Sequence, residues 1–241
     1  MNLNAQTTKC MLVGSSHKLS KSRDLHLTIT DYKIESVKQY KLLGVNLDNN
    51  LKWPFHVDNI HEQLTNKLLL LRRIKPYITI EMRKLYYNSY ILPIIDYGII
   101  PWQYAPKRKL IKIPNIQKRS ARMILDKSRD HPSNPLLNEL NWLPLQSRIT
   151  YHVVLLVFKI HNDLAPNYLN TILLFTSNSR YELHSEFRCH LAQPKKKSYF
   201  PNLTLQSLIT QIWNTIPEHM KSAKTVNTFK SMLKKHIFYT Y

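Results

Sequence analysis

The sequence predicts an α+β fold that is mostly α, with a small antiparallel β region at the amino terminus and helices after it. A change in apolar periodicity carries this prediction. Segments in the first fifty residues, such as "LHLTIT", alternate apolar and polar positions with the period of two that half-buried strands show. From Trp53 onward, apolar residues recur every three or four positions, which is typical of helices packed on one face.

Four strands are expected in the β region. Three of them are "KCMLVG", "LHLTIT" and "KIESV", and the basic segment "SSHKLSKSR" is expected to be a loop between the first two. The fourth runs from Tyr40 to Leu47, is expected to be buried, and contains Gly44, one of only three glycines in the chain. A glycine inside a strand usually marks a bulge or the close approach of another backbone.

Helices are expected over most of the remaining chain. The first opens at Trp53-Pro54 and buries a face made of Ile60, Leu64, Leu68 and Leu71. The second begins with Thr79 as its N-cap and should be kinked by Pro93. Further helices are expected at 107–127, in "PLLNELNWLP", at 145–164, in "PNYLNTILLF", in "LQSLITQIWNTI" and in "TVNTFKSMLKKHIF".

The charge of the chain indicates a polyanionic partner. Lys and Arg number 35 against 15 Asp and Glu, so the 241 residues carry a net charge of +20. Nucleic acid is the first expectation and an anionic membrane surface the second. The apolar run "YILPIIDYGIIPW" is too short to span a bilayer, and the first residues lack the apolar core of a signal peptide. Two distant cysteines fit a reducing compartment, so a nuclear or cytoplasmic protein that is not secreted is expected.

Several kinds of catalytic or cofactor site are disfavoured by the sequence. The three glycines are isolated, so neither a P-loop nor a dinucleotide fingerprint can form. No Asp-Asp or Asp-x-Asp pair occurs, although two-metal phosphoryl transfer needs clustered carboxylates. Eleven histidines are present without a pair of close cysteines, and "HSEFRCH" falls short of the four spaced ligands of a structural zinc site. We therefore expect no catalytic residue, no metal and no cofactor.

The helix expected at 107–127 carries a basic ridge on one face. On a helical wheel, the opposite side carries apolar residues, so one face is expected in the core and the other along a phosphate backbone. Pro114 has no N–H to donate within a helix, so a helix that begins with Pro114 at its first position is an alternative to one that begins at 107. A solvated charged face with the same pattern is the alternative. The ridge consists of Arg108, Lys112, Asn115, Arg119 and Arg122, and the opposite face of Leu110, Ile113, Ala121 and Ile124.

Aromatic and basic residues elsewhere add to this expectation. Tyr86, Tyr87, Tyr90 and Tyr97 cluster in the second helix and are candidates for stacking on bases. Core packing is nevertheless expected for three of them, namely Tyr86, Tyr90 and Tyr97, because they share a face with other apolar residues. The basic segment "PKKK" is a candidate phosphate clamp or a weak nuclear signal, through Lys195, Lys196 and Lys197.

Nine segments occur in an order that resembles one known family. They are "TTKCMLVG", "YKLLGVNLDNNLKW", "LLLLRRIKPYI", "ILPIIDYGIIPW", "NIQKRSARMI", "LLNELNWLPLQSR", "VFKIHNDLAPNYL", "IWNTIP" and "FKSMLKKHIF". Together they resemble the carboxyl-terminal part of reverse transcriptases from LINE-type, non-LTR retrotransposons of the jockey-like group. The resemblance covers nearly the whole chain.

The resemblance implies an organisation and a set of nucleic-acid contacts. The strand around Gly44 would be the hairpin at the end of the palm that grips the primer, and thumb helices would follow it. The implied divisions are a palm-end β remnant at 1–50, thumb-like helices at 51–127, post-thumb helices at 128–176, an extended basic linker at 177–203 and a helical pair at 204–241. The nucleic-acid-binding residues are expected to be Lys9, Tyr40, Gly44, Arg72, Arg73, Arg108, Lys112, Arg119, Arg122, Lys195, Lys196 and Lys197.

The sequence also departs from the family. The Phe/Tyr-Ala-Asp-Asp turn of the polymerase site is absent, and Thr7 stands where many relatives have lysine. Magnesium would belong to the missing palm. The expectation is thus a truncated RNA-directed DNA polymerase that binds a template–primer-like RNA or DNA duplex without polymerising, with the missing portion as a further candidate partner in trans. The alternatives are a helical protein-interaction module retained by a host and a pseudogene-derived chain without a selected role.

Overall fold

A computed structural model shows a mostly helical α+β protein, as the sequence predicts. Helix accounts for 62% of the structure, and the strands are few and short. The chain divides into two units, residues 1–142 and 143–241. The structure describes residues 4, 6–22, 26–29, 32–173, 190–192 and 205–240.

The strands of the first unit pair two by two, and one pair is parallel. The pairs β1–β4, β2–β3 and β5–β6 form separate sheets, and β1 runs parallel to β4. A parallel pair needs a crossover of a dozen or more residues, and the long segment between β1 and β4 supplies it. The strands are β1 (Lys9–Cys10), β2 (Thr28–Ile29), β3 (Tyr32–Lys33), β4 (Glu35–Ser36), β5 (Gln39–Leu42) and β6 (Val45–Asp48).

The expectation of a loop between the first two strands is wrong, because part of this segment is helical. Helix α1 spans Ser16–Lys21. The hydroxyl of Ser15 accepts a hydrogen bond from the Lys18 N–H at 3.3 Å and caps the helix. A serine followed by good helix formers is a common start of a short helix, and the basic character of the segment hid this signal.

The run from Tyr40 to Leu47 is a hairpin and not one buried strand. Leu43 and Gly44 form its two-residue turn with φ of 46° and 82°, the left-handed values that such hairpin turns require. Every residue of β5 is exposed, whereas β6 faces the helices and ends at the buried Asp48. Gly44 therefore serves the turn, since an added Cβ would meet only ordinary contacts, 3.5 Å from Tyr97.

A buried carboxylate joins this hairpin to the first long helix, α2 (Pro54–Ile74). Asp48 accepts hydrogen bonds from the N–H groups of Lys52, at 3.0 Å, and Trp53, at 2.8 Å. These bonds hold Trp53 in a left-handed conformation, φ 60°, directly before the helix. The predicted apolar face of α2 is confirmed, since Ile60, Leu64, Leu68 and Leu71 are all buried.

A π turn interrupts the second long helical segment just before Pro93. The segment consists of α3 (Ile80–Tyr86), the π turn (Tyr87–Ile91) and α4 (Leu92–Asp96), and the predicted N-cap is confirmed because Thr79 Oγ accepts from the Met82 N–H. The Leu92 N–H reaches back five residues to the Tyr87 carbonyl. The extra residue of this turn lets the helix accommodate a proline that has no N–H to donate.

Short helices complete the first unit around this pair. A 3₁₀ turn, Lys75–Tyr77, closes the hairpin of α2 and α3, and the Tyr87 ring stacks on Trp142 at 3.6 Å between centroids. Both rings are buried. The other helices are α5 (Ile99–Trp102), α6 (Lys107–Leu110), α7 (Lys112–Ile124) and α8 (Ser133–Glu139).

The second unit is built around the apolar helix α9 (Leu145–His161), which the sequence predicts. Phe158 of α9 stacks on Phe229 at 3.9 Å between centroids, so the last helix packs against it. Of the predicted linker, residues 190–192 are described, and the backbone of Leu191 exchanges two hydrogen bonds of 3.0 Å with the Asn214 side chain. The remaining elements are a 3₁₀ helix (Asn167–Ile172), α10 (Leu205–Asn214), α11 (Glu218–Lys221) and α12 (Val226–Thr240).

Candidate nucleic-acid interface

Helix α7 presents basic residues by burying its other face, whereas α6 has no buried residue and Leu110, expected on the apolar face, is only half-buried. Ile113, Ala121 and Ile124 are almost completely buried, as predicted, and Ile116 lies with them. Helix α7 begins at Lys112, two residues before Pro114, so the expected start at the proline is displaced by half a turn. At the third helical position the proline needs no intrahelical donor. The break between α6 and α7 therefore follows from Pro114, and it separates Arg108 from the rest of the ridge.

Two lysines of this region face α2 and form ion pairs there. The ammonium groups of Lys109 and Lys112 both bind the carboxylate of Asp58, and the Lys112 Nζ–Asp58 Oδ1 distance is 2.9 Å. The hydrogen bond from Lys109, and then that from Lys112, hold the pKa of Asp58 below its usual value. Lys112 is thus already paired within the protein, although the sequence predicts it on a ridge that contacts phosphates.

Arg122 also has a structural role. Its Nε donates to the main-chain carbonyl of His131 at 2.9 Å, across the loop between α7 and α8. The side chain is half-buried and braces this loop. Replacing Arg122 would therefore change the loop as well as the surface charge.

Arg108 and Arg119 remain as outward-facing cations of the ridge. Both side chains are exposed, and within the described part of the chain neither guanidinium takes part in a hydrogen bond or an ion pair. Lys107 is also exposed and Lys118 half-exposed, although the wheel did not place them on the ridge. The basic ridge that the structure shows therefore differs from the predicted one and consists of Lys107, Arg108, Lys118 and Arg119.

The other predicted contact residues lie on separate elements. Arg72 and Arg73 are exposed in the last turn of α2, where a positive charge also interacts favourably with the helix dipole. Lys9 forms an ion pair with Glu35 at 3.1 Å, so its charge is partly neutralised. Tyr40 is exposed on β5. Lys195, Lys196 and Lys197 lie outside the described residues.

The expected burial of three tyrosines is wrong. Tyr90 and Tyr97 are each 55% exposed and Tyr86 is half-buried, whereas Tyr87 has no exposed surface. The buried face of the α3 segment carries Arg83, Tyr87, Ile91 and Ile95, and the wheel placed the face one position too early. The Tyr97 hydroxyl instead donates to the Leu43 carbonyl at 2.5 Å and fixes the tip of the hairpin.

A buried arginine that the sequence did not single out joins three helix ends. The guanidinium of Arg83 donates to the carbonyls of Lys75 at 2.9 Å and Ile78 and Ile124 at 3.2 Å, and to the Asp126 carboxylate at 2.6 Å. Lys75 also binds Asp126. The hydrogen bonds from Lys75 and then Arg83 lower the pKa of Asp126. The sequence offered one signal for this role, because Arg83 stands on the otherwise apolar face of the α3 segment.

No comparison identifies a relative of this chain. No family model matches the sequence, no curated protein matches it, and no solved structure matches the fold. Within the described ranges, no group of three or more potential ligand side chains is arranged to hold a metal ion. Over the same ranges, no helix has both the length and the apolar character to cross a bilayer.

Proposed function

We propose that these 241 residues bind nucleic acid through the basic ridge of α6 and α7 and do not polymerise it. The observation that carries the proposal is the division of cations on these helices. Lys109, Lys112 and Arg122 are used inside the fold, while Arg108 and Arg119 point outward without a partner in the described part of the chain. The net charge of +20 favours approach to any polyanion, and the ridge supplies defined contacts.

The resemblance to non-LTR reverse transcriptases supports the same proposal. It implies that residues 51–127 correspond to a thumb that tracks a template–primer duplex, and α6 and α7 belong to this stretch. The docked hairpin of β5 and β6, with the exposed Tyr40, stands where the resemblance implies a primer-gripping element. A duplex of RNA and DNA is therefore the first substrate to test.

The salt dependence of duplex binding tests this proposal. Changing Arg108 and Arg119 together to alanine should make the slope of log affinity against log salt shallower by about 1.8, since each phosphate contact contributes about −0.9 on B-form DNA. The matched control removes two charges from the second unit, through Lys224→Ala and Lys235→Ala, both at exposed positions. This control should leave the slope nearly unchanged. Equal slopes for wild type and the Arg108/Arg119 double variant would refute the ridge as the contact surface.

A primer-extension assay tests the second half of the proposal. With a primed RNA template, deoxynucleotides and magnesium, the purified chain should extend nothing, because no Asp-Asp or Asp-x-Asp pair for two-metal chemistry occurs in its sequence. Extension that persists through repurification and exceeds an enzyme-free control would overturn the non-catalytic assignment.

A further inference from the structure

A second surface of the first unit lies between α2 and α3, away from the basic ridge. The Tyr86 hydroxyl donates to the Lys67 carbonyl at 3.0 Å, which fixes where the two helices meet. The Tyr86 and Tyr90 rings stack at 5.0 Å between centroids, and Lys67 Nζ lies 5.6 Å from the Tyr90 centroid. These side chains form the floor of a shallow groove along the outside of the helical hairpin.

Apolar side chains form the walls of this groove. Leu70 follows Lys67 by one turn on α2, and Met82 precedes Tyr86 by one turn on α3. Leu70 is 44% exposed, and Met82 and Tyr90 are each 55% exposed. Neighbouring exposed apolar residues mark an interaction site more often than single exposed ones do. The α2–α3 groove is defined here by Lys67, Leu70, Ile74, Met82, Tyr86 and Tyr90.

The chemistry of the groove suits a helix better than a nucleic acid. The Tyr90 ring is already stacked on Tyr86 and has Lys67 beside it, which leaves less aromatic face for a base. Leu70 and Met82 offer no hydrogen bonds to a base edge, whereas methionine is common where apolar helices dock. From Met82 to Tyr90 the groove runs about 12 Å, which matches the span of anchors at i, i+4 and i+7 of an amphipathic helix.

Charge decides which helix fits. The ammonium of Lys67 lies beside the Tyr90 ring and has no carboxylate partner within the described residues. A second copy of this chain would bring another +20 net charge to the contact and would be repelled. A partner with acidic residues flanking its apolar face would neutralise Lys67 and be attracted by the whole unit.

We propose that the α2–α3 groove docks an acidic amphipathic helix of a partner protein. The groove and the basic ridge lie on opposite sides of α2. Asp58, which anchors the ridge helices, and Lys67 are nine residues apart, a rotation of about 180° around the helix. The protein therefore binds a partner helix and a duplex through different faces, and each interaction can be lost without the other.

A designed peptide tests this proposal. The probe is a fluorescent helix of about 15 residues with leucine at i, i+4 and i+7 and glutamate on its polar face. A scrambled peptide of equal composition, which cannot form an apolar stripe, is the first control. Measured by anisotropy, the amphipathic peptide should bind about tenfold or more tightly than the scrambled one, because only it can fill the groove.

The decisive protein variant is Met82→Glu. Met82 is the third residue after the Thr79 cap, where glutamate completes a capping box, so the helix should remain folded. The negative charge in the groove should lower the affinity for the amphipathic peptide about tenfold or more. Leu164→Glu, at a similarly exposed apolar position of the second unit, is the matched control and should leave peptide affinity unchanged.

Three results would overturn the proposal. Equal binding of both peptides would show attraction by net charge alone, and unchanged binding by Met82→Glu would place the contact elsewhere. A dimer in sedimentation that Met82→Glu dissociates would make a second copy the occupant. The duplex salt slope should be the same for wild type and Met82→Glu, while the Arg108/Arg119 double variant should keep its peptide affinity. Failure of one proposal is therefore distinguishable from failure of the other.

Discussion

Removing the guanidinium of Arg83 should destabilise the first unit strongly. Arg83→Met keeps the length of the side chain and its apolar stem but removes every donor. The carbonyls of Lys75, Ile78 and Ile124 lose the hydrogen bonds that Arg83 donates. The Lys75 carbonyl also accepts from the Ile78 N–H at 3.5 Å, so the carbonyls of Ile78 and Ile124 are the most affected. The packing of α2, α3 and α7 at this corner therefore depends on one side chain.

The magnitude follows from the burial of each partner. Hydrogen bonds from charged donors contribute about 1.5–3 kcal/mol each. For each of the three carbonyl bonds we use about 1 kcal/mol, because a partly exposed carbonyl regains a hydrogen bond to water when the guanidinium is removed. The Asp126 side chain is 53% exposed, so its ion pair adds at most about 0.5 kcal/mol after solvent screening. The total is about 3 kcal/mol, which lowers the melting temperature of a 142-residue unit by about 10 °C.

Urea denaturation of Arg83→Met, monitored by circular dichroism, measures this loss of stability. Asp126→Asn is the control variant. Asparagine tolerates the left-handed conformation at this position, φ 54°, and leaves the three carbonyl bonds in place. Asp126→Asn should cost under about 1 kcal/mol. A loss for Arg83→Met within about 0.5 kcal/mol of zero would refute the reasoning. Equal losses of unfolding free energy in both variants would show that the ion pair with Asp126, and not the hydrogen bonds to the three carbonyls, stabilises this packing.

Four further outcomes are expected. Asp58→Asn should steepen the duplex salt slope by up to about 1.8, because two lysines are released toward the ligand; an unchanged slope would mean that they do not reach it. The same variant should lose less stability than wild type as the pH falls, because the lowered folded pKa of Asp58 stabilises only the wild-type fold above the usual aspartate pKa, and this contribution disappears in acid. Urea titrations in neutral and acidic buffer measure both losses, and equal losses would contradict this. Burial lowers the pKa of His56, so the free energy of unfolding should fall as the pH is lowered from about 7 to about 5. The fall should be smaller in His56→Gln, whose side chain can still accept from the Asn46 N–H. Urea titrations at both pH values measure the fall, and an equal fall in wild type and variant would contradict this. Hydrogen exchange should be faster in residues 1–50 than in 53–175, since two-stranded sheets are marginal, and equal protection would show that the sheets are held as firmly as the helices.

The sequence alone determined most of the longer helices. An apolar face or a cap is a local signal, as at Thr79 and along the buried face of α2. Helix α1 was missed because it has no buried face. Local signals were enough as well for the buried face of α7, where isoleucines recur with helical spacing.

The tertiary structure decided how the β region pairs. Register and direction depend on residues far apart in the chain, and short strands carry too few side chains to specify them. The hairpin at Leu43-Gly44 shows this, since its residues also fit one continuous strand. Its position is set by Tyr97, which lies 54 residues further on.

The tertiary structure also decided which charges are available to a ligand. The sequence shows five polar residues on one face, but it does not show that Asp58 lies across from Lys112 or that the His131 carbonyl meets Arg122. A charge that pairs within the fold is no longer equally available for a phosphate. Whether a surface cation binds a ligand or the protein itself is therefore a property of long-range contacts, and periodicity carries no record of them.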